Sequence, residues 1–366
     1  MSDATPAGAA ETRQLSIDAL EEEARRRLPH MVFDYYAGGA GDEWTLRENR
    51  KAFERWVLRP RFLVDVSEVD LRTTILGQEM PFPILVAPTA LQRMAHSDGE
   101  LATARGASRA GAVMVVSTIA TISLEDIAGT GVNRWFQLYI HKDRDLTAEL
   151  VKRAHAAAYG AIVVTVDTPF LGRRLRDERN RFTMPPGIGL ANLAGIPLPQ
   201  DPGSSLFRYF ASQLDPALTW EDVAWVRSLS PLPVVLKGIL TREDAVLAMD
   251  AGVDGVVVSN HGGRQLDGVP ATLDVLPEVV EAVAGRADVL MDSGVRHGTD
   301  VLKALALGAS GVLVGRPILW GLATGGDVGV QRVLETLRDE LALSLALAGA
   351  SSVKGVDRTL VARAAH

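Results

Sequence analysis

From residue 83 onward, short runs of β-branched and aliphatic residues alternate with longer stretches whose apolar positions recur at helical spacing. The runs are PILVA (83–87), VMVVS (113–117), WFQLY (135–139), AIVVTVD (161–167), PVVLK (233–237), DGVVVS (254–259), DVLMD (288–292) and SGVLVG (310–315). Between them lie stretches such as DLTAELVKRAHAAA (145–158), REDAVLAMDAG (242–252) and GTDVLKALALG (298–308). Strands apolar at nearly every position are buried on both faces, as in a parallel sheet covered by helices. Eight such units in one chain predict an α/β fold closed as a (β/α)8 TIM barrel.

Two regions break the alternation. Residues 15–60 read as a helical extension ahead of the barrel. The stretch 168–232 carries PPG at 185–187 and PLPQDPG at 197–203, with no helical period until TWEDVAWVRSL (219–229). A long loop in a compact domain is usually functional. Its place after the fourth strand lays it over the barrel mouth, so a lid is expected there. It is not a linker, because strands on both sides are needed to close the barrel. Residues 15–366 are therefore expected to form one domain, behind a small, polar tail at 1–14 that reads as disordered.

The net charge of −7 argues against a nucleic-acid binder, whose footprint would be basic. The absence of cysteine excludes disulfides, thiolate metal ligands and a cysteine nucleophile. The N-terminus lacks the apolar core of a signal peptide, and no apolar run approaches the roughly 18 residues that span a bilayer. The C-terminal RAAH is not a peroxisomal SKL address, so a cytoplasmic protein without membrane contact is expected.

The predicted strands end in polar groups: Ser117, Tyr139, Asp167, Lys237, Ser259 and Asp292. A barrel gathers those ends at its C-terminal face, where active sites are built. DSGVRHG (292–298) and GRP (315–317) follow the seventh and eighth strands, with glycines for close backbone approach and Arg296 and Arg316 for bidentate contact. That combination predicts a phosphate site. No strand is followed by GxGxxG, and no P-loop occurs. In SNHGGRQLD (259–267), His261 can accept a proton, with Asp167 on another strand end to orient it. Arg264 can hold an anion beside it. Arg174, in LGRRLRDERNRF (171–182), would complete a two-arginine clamp on a carboxylate, although composition alone does not single it out of so charged a run. A base beside a fixed carboxylate suits removal of hydrogen from the adjoining carbon. A Schiff-base aldolase using Lys237 leaves His261 and Arg264 unexplained, and a non-catalytic barrel leaves the paired base unexplained.

Over about residues 15–350 the chain resembles the FMN-dependent 2-hydroxy acid oxidases and dehydrogenases. The likeness rests on SNHGGRQLD, DYYAGGAGDEWTL (34–46), APTALQRMAH (87–96), FQLY (136–139), TVDTP (165–169), LGRRLRDERNRF and KALALGASGVLVGRP (303–317). It implies FMN at the barrel mouth and no metal. The phosphate would rest on Asp292, Ser293, Gly294 and Arg296, and on Gly315 and Arg316. Pro88, Thr89, Ala90, Ser117, Gln137 and Thr165 would line the isoalloxazine, with Lys237 at its N1–O2 edge and Ser259 beside it. His261 would be the base, paired with Asp167; Tyr139 would bond the substrate hydroxyl, and Tyr35, Arg174 and Arg264 its carboxylate.

The resemblance also implies oxidation of an (S)-2-hydroxy acid to the 2-oxo acid, with electrons passed to O2 as H2O2. A dehydrogenase using a quinone or another acceptor is the alternative. A homo-oligomer, tetramer or octamer, is implied as well. The chain departs from the glycolate oxidases at Ile119, where they carry tryptophan, and at Phe170, where they tend to carry arginine. A wider, more apolar pocket follows, favouring L-lactate or a larger aliphatic or aryl 2-hydroxy acid over glycolate.

Overall fold

The computed structural model describes residues 16–193 and 212–365. Three short strands, β1 (Trp56–Leu58), β2 (Thr73–Ile75) and β3 (Gln78–Met80), precede the barrel. The barrel strands are β4 (Ile84–Val86), β5 (Met114–Ser117), β6 (Arg134–Leu138), β7 (Ile162–Thr165), β8 (Val234–Ile239), β9 (Gly255–Val258), β10 (Asp288–Met291) and β11 (Gly311–Val314); β12 (Val361–Arg363) follows. Every residue of β4, β5, β7, β9 and β11 is buried, as continuous apolar runs require. All eight pair in parallel, and β11 returns to β4 to close the barrel. The expected (β/α)8 fold is what the chain adopts.

Two apolar layers hold it. Strand residues facing outward pack beneath the surrounding helices. Inward residues, among them Leu85, Val115, Trp135, Val163, Val235 and Leu313, fill the barrel with Ile75 and Met80 of the β2–β3 hairpin. That hairpin plugs the N-terminal end. Its turn residues Leu76 and Gly77 both have positive φ (51° and 72°), the geometry that matches strand twist in a tight hairpin. Trp135 donates its indole N–H to Gln78 Oε1 at 3.2 Å. With one end filled by side chains, the other is left for chemistry.

The extension before the barrel contains helices Ile17–Arg27, His30–Ala37 and Trp44–Lys51. The helical reading of 15–60 fails at Trp56–Leu58, which pair antiparallel with Val361–Arg363. A three-residue strand is too short to show a period, and its partner lies at the other end of the chain. After β7 come a short helix (Leu175–Arg179) and helix Trp220–Ser228, whose start is fixed by Thr219 N donating to Asp222 Oδ2 at 2.8 Å. The proline-rich 197–203 and the tail at 1–14 lie outside the described residues. Among the described residues no helix is long and apolar enough to cross a membrane.

Candidate active site

SNHGGR (259–264) makes a tight turn at this end of the barrel. His261, Gly262 and Gly263 all have positive φ (58°, 67° and 74°), so three consecutive residues sit in the left-handed region. A side chain at 263 would fall 2.6 Å from Leu46 N, because the extension packs directly on the loop. Ala40 N donates to the Gly263 carbonyl at 2.8 Å and fixes that contact. For His261 the left-handed backbone is strained, and such strain is held where the surroundings over-determine it.

The turn aims the imidazole into a cavity of about 820 Å³ at the C-terminal face. That is at the upper end for a small-molecule site, with room for a cofactor and a small substrate together. Tyr35, Pro88, Thr89, Ala90, Ser117, Gln137, Tyr139, Thr165, Arg174, Lys237, His261, Arg264, Asp292, Ser293, Gly294, Arg296, Gly315 and Arg316 all line it. Asp167 and Ser259, the remaining candidates, stand behind this wall.

His261 Nδ1 lies 2.9 Å from Asp167 Oδ1. Asp167 comes this close because Gly238, at φ 121°, lacks a Cβ that would sit 2.7 Å from the Asp167 Cβ. Burial pushes the Asp167 pKa up, but His261 and Lys237 outweigh it and the net direction is down. Burial likewise dominates for His261 and pushes its pKa down, against the pull of Asp167. The pair is thus a neutral imidazole and a carboxylate. A carboxylate only accepts, so Nδ1 carries the proton and Nε2 keeps its lone pair. The buried Oδ2 of Asp167 has no hydrogen-bond partner, which leaves the negative charge concentrated behind the ring.

Two guanidiniums flank the imidazole. Arg264 Nη1 donates to the carbonyls of Tyr35 (2.6 Å) and Gly38 (2.9 Å), and its guanidinium lies 5.1 Å over the Tyr35 ring. Arg174 Nε donates to the Arg264 carbonyl at 3.4 Å. The other N–H groups of both arginines have no partner among the described residues. Burial, reinforced by Arg264, lowers the Arg174 pKa to about 10. Tyr139 is buried and held protonated, so its phenol is a donor at neutral pH.

Lys237 is not the last residue of its strand; β8 runs on to Ile239 through an irregularity. Its Nζ meets Asp292 Oδ2 and Ser259 Oγ, each at 2.8 Å; burial pushes its pKa down, but the Asp292 and Asp167 carboxylates outweigh it and keep it charged. Ser117 donates to Gln137 Oε1 (3.2 Å), and Gln137 Nε2 to Thr165 Oγ1 (2.9 Å), giving a polar row beside Lys237. Ala87, Pro88, Ala90 and Ile119 add apolar wall to the same cavity.

At the far end, Ser293 and Gly294 have φ of 76° and 90°, and a Cβ on Gly294 would fall 2.2 Å from Asn49 O. The helix Arg316–Ala348 begins there, with no side-chain cap on its free N–H groups. Arg316 spends Nε on the Tyr36 carbonyl (2.9 Å) and Nη2 on Gly38 and Gly262 (3.0 Å each). Burial and neighbouring arginines lower the pKa of Arg296 to about 10 and of Arg316 to about 9. Two arginines beside a helix N-terminus, one of them meeting a carboxylate only at 4.0 Å (Arg296 Nη2 to Glu21 Oε2), fit a phosphate. A polar row and apolar residues lining the same cavity fit a flavin ring. The site residues therefore fit FMN.

Some wall residues carried no signal in the sequence. Phe182 stacks on Tyr35 with ring centroids 4.5 Å apart, and Leu171, Asp177 and Thr183 also face the cavity. Phe170 corrects an expectation: it is 66% exposed and does not line the cavity, because its carbonyl is tied back by Gln265 Nε2 at 2.8 Å. Among the described residues no three His, Asp or Glu side chains gather as a metal site.

Residues 24–363 match the model of a family described as FMN-dependent dehydrogenase. The chain is 56% identical to the L-lactate oxidase of Nostoc sp. over 350 residues, covering 93% of this chain and 96% of that protein. It is 52% identical to the glycolate oxidase of Spinacia oleracea, covering 95% of each. It is 53% identical to 2-hydroxyacid oxidase 1 of Homo sapiens, covering 95% and 96%. A crystal structure of mandelate oxidase with (S)-4-hydroxymandelic acid superposes with a TM-score of 0.93 at 46% identity, covering 96% of this chain and 99% of that one.

Proposed function

The chain belongs to the FMN-dependent dehydrogenase family and uses FMN, and from that premise we propose a role for each residue at the mouth. The enzyme is a 2-hydroxy acid oxidase, as are relatives that share half or more of its residues across nearly their whole length. When bound, FMN supplies a two-electron acceptor, and the protein supplies orientation, charge and a base.

Arg174 and Arg264 hold the substrate carboxylate through their unpartnered N–H groups, with Tyr35 completing that end. Tyr139 donates to the substrate hydroxyl oxygen. His261 Nε2 takes the substrate proton, and Asp167 stabilises the imidazolium that results. Ser293, Gly294, Arg296, Gly315 and Arg316 hold the phosphate. Asp292 is an acceptor held by Lys237, suited to the hydroxyls between ring and phosphate rather than to the phosphate itself. Pro88, Thr89, Ala90, Ser117, Gln137 and Thr165 hold the ring; Lys237, fixed by Ser259, places its positive charge beside it. Electrons pass to O2, giving H2O2.

The observation that carries this reading is a neutral histidine, backed by a carboxylate, in one cavity with two arginines that keep free donors. The test is spectroscopic. Purified protein should be yellow, release FMN on denaturation, bleach with a 2-hydroxy acid under argon and recover with air as peroxide appears. Colourless protein that FMN does not reconstitute removes the assignment; bleaching without peroxide moves it to another acceptor.

The substrate reading is L-lactate or a larger (S)-2-hydroxy acid in preference to glycolate, supported by Ile119 in the cavity wall. Residues 15–366 are read as one cytoplasmic domain that assembles as a tetramer or octamer. Support for assembly comes from an exposed apolar surface: Phe62 and Leu63 follow Arg61, which bonds the Ala348 carbonyl, beside exposed Leu343 and Leu347. A monomer by sedimentation velocity at micromolar concentration removes that reading.

A further inference from the structure

Glu100 is a buried carboxylate that the chemistry above does not use. It is the second residue of the helix Gly99–Ala110 and is 1% exposed. No Lys, Arg or His pairs with it among the described residues. Burying a carboxylate without a cation is costly unless its oxygens are satisfied. Here they are satisfied by two loops. Oε1 accepts from the backbone N–H of Gln92 (3.2 Å) and of Thr121 (2.9 Å), and Oε2 accepts from the Thr121 hydroxyl.

Those two loops form one wall of the cavity. Gln92 Nε2 donates to Thr89 Oγ1 at 2.9 Å and to the Thr89 carbonyl at 3.3 Å, while Gln92 Oε1 accepts from Thr103 Oγ1 at 2.6 Å. The carboxylate therefore reaches Pro88–Ala90, after β4, through a single side chain. On the other loop, Thr121 is two residues from Ile119, whose N–H is held by Ser117 Oγ at 3.1 Å. Direct bonds cross between the loops as well: Leu91 N to the Ile119 carbonyl (3.2 Å) and Arg93 N to Thr121 Oγ1 (3.3 Å). Gly99 has φ 49° and no room for a Cβ, which would meet Arg93 Cγ at 2.6 Å, so the helix start is pressed against the loops it ties.

We propose that Glu100 is a positioning residue that clips the loop after β4 to the loop after β5 and so sets the wall against which FMN and substrate seat. This rests on the FMN reading above. The clip works through hydrogen-bond acceptance, not through charge. Glu100→Gln keeps an amide oxygen for both backbone donors, and the Thr121 hydroxyl can turn to accept from the new amide. Glu100→Ala leaves two buried backbone N–H groups without partners.

The experiment measures the FMN dissociation constant of the apoprotein by flavin fluorescence, together with thermal unfolding of the same samples. Glu100→Ala should weaken FMN at least about tenfold, since two buried backbone N–H groups left unsatisfied cost about 1–3 kcal/mol each. Glu100→Gln should stay within about threefold of wild type by the same scale. Asp288→Ala is the control. It makes a similar clip at the opposite end of the barrel, accepting from Leu76 N and Ser310 Oγ at 2.7 Å each, and should lower stability without changing FMN affinity. If Glu100→Ala does not fold, Thr121→Val removes the hydroxyl bond to Glu100 and the one from Arg93 N, keeps the Thr121 N–H bond to Glu100, and should weaken FMN by a smaller factor. Unchanged FMN affinity in Glu100→Ala, or in Thr121→Val where that variant stands in, overturns the proposal. So does equal impairment of Ala and Gln variants, which would make the charge the cause. Failure of wild type to bind FMN would sink the cofactor reading instead.

Discussion

Replacing Asp167 by asparagine tests the base and its partner together. In the native pair, Asp167 accepts from His261 Nδ1 at 2.9 Å and leaves Nε2 free. Asparagine presents an amide that can donate to Nδ1, which moves the imidazole proton to Nε2 and blocks the lone pair. It also removes the charge that stabilises the imidazolium. Among the influences on His261, burial, Lys237 and Arg174 lower its pKa and Asp167 raises it, so Asp167→Asn leaves only those that lower it. Opposite unit charges about 4 Å apart at an effective dielectric of about 20 attract by about 4 kcal/mol. At about 1.4 kcal/mol per factor of ten, that is roughly a thousandfold in rate, inside the range for general-base catalysis. The assay is anaerobic stopped-flow reduction of the bound flavin across pH 4–9. The native rate should fall at acid pH, below the ordinary histidine range, because the base must be neutral and its pKa is lowered. The variant should keep flavin, lose about 10²–10⁴ on the plateau, and show its acid limb shifted further down or absent. A variant within about tenfold of wild type with an unmoved acid limb would refute the pairing argument.

Arg264→Met should raise KM for the hydroxy acid strongly and lower kcat less, measured in steady state with a substrate series of fixed carboxylate; an unchanged KM removes Arg264 from the clamp. Ile119→Trp should fill cavity space and shift preference toward glycolate, against a native gain of roughly 0.8 kcal/mol per added methylene until the pocket is full. A native optimum at glycolate defeats the wide-pocket reading and leaves the family untouched. Millimolar phosphate should raise the unfolding temperature of apoprotein, and Arg316→Gln should abolish that rise; a rise equal in both forms places the anion elsewhere.

The barrel was legible because parallel strands buried on both faces need unbroken apolar runs, and PILVA through SGVLVG are such runs. The strand β1 was not, because three residues carry no period and Val361–Arg363 lie three hundred positions away. His261 and Asp167 were legible as polar groups at strand ends, which a barrel topology brings together. Phe182 and Phe170 show the limit: both sit in one segment after β7, yet one stacks on Tyr35 in the wall and the other faces away. Nothing in composition separates them, since the segment's path is set by contacts with Gln265 and the extension. Glu100 was hidden for a different reason. An acid in the first turn of a helix is ordinary, and only its burial beneath two loops sets it apart.

The electrostatics of the mouth were hidden by the average. A chain with a net charge of −7 nonetheless gathers Arg174, Arg264, Arg296, Arg316 and Lys237 around one cavity. Of these, Lys237 has its own carboxylate, at 2.8 Å. Arg174, Arg296 and Arg316 are held with lowered pKa values by burial and by one another. A cation whose pKa falls on folding opposes folding at neutral pH, and the opposition is relieved when an anion arrives. The arrangement therefore turns part of the folding free energy into affinity for two anions, a phosphate at one end and a carboxylate at the other. Between them stands a base kept neutral by burial and by Lys237 and Arg174. The lowered pKa values of His261 and Arg174 thus share burial as their largest cause. A substitution that neutralises Arg174 should weaken the hold on substrate and move the acid limb of the rate upward, whereas one at Arg264 should weaken the hold alone.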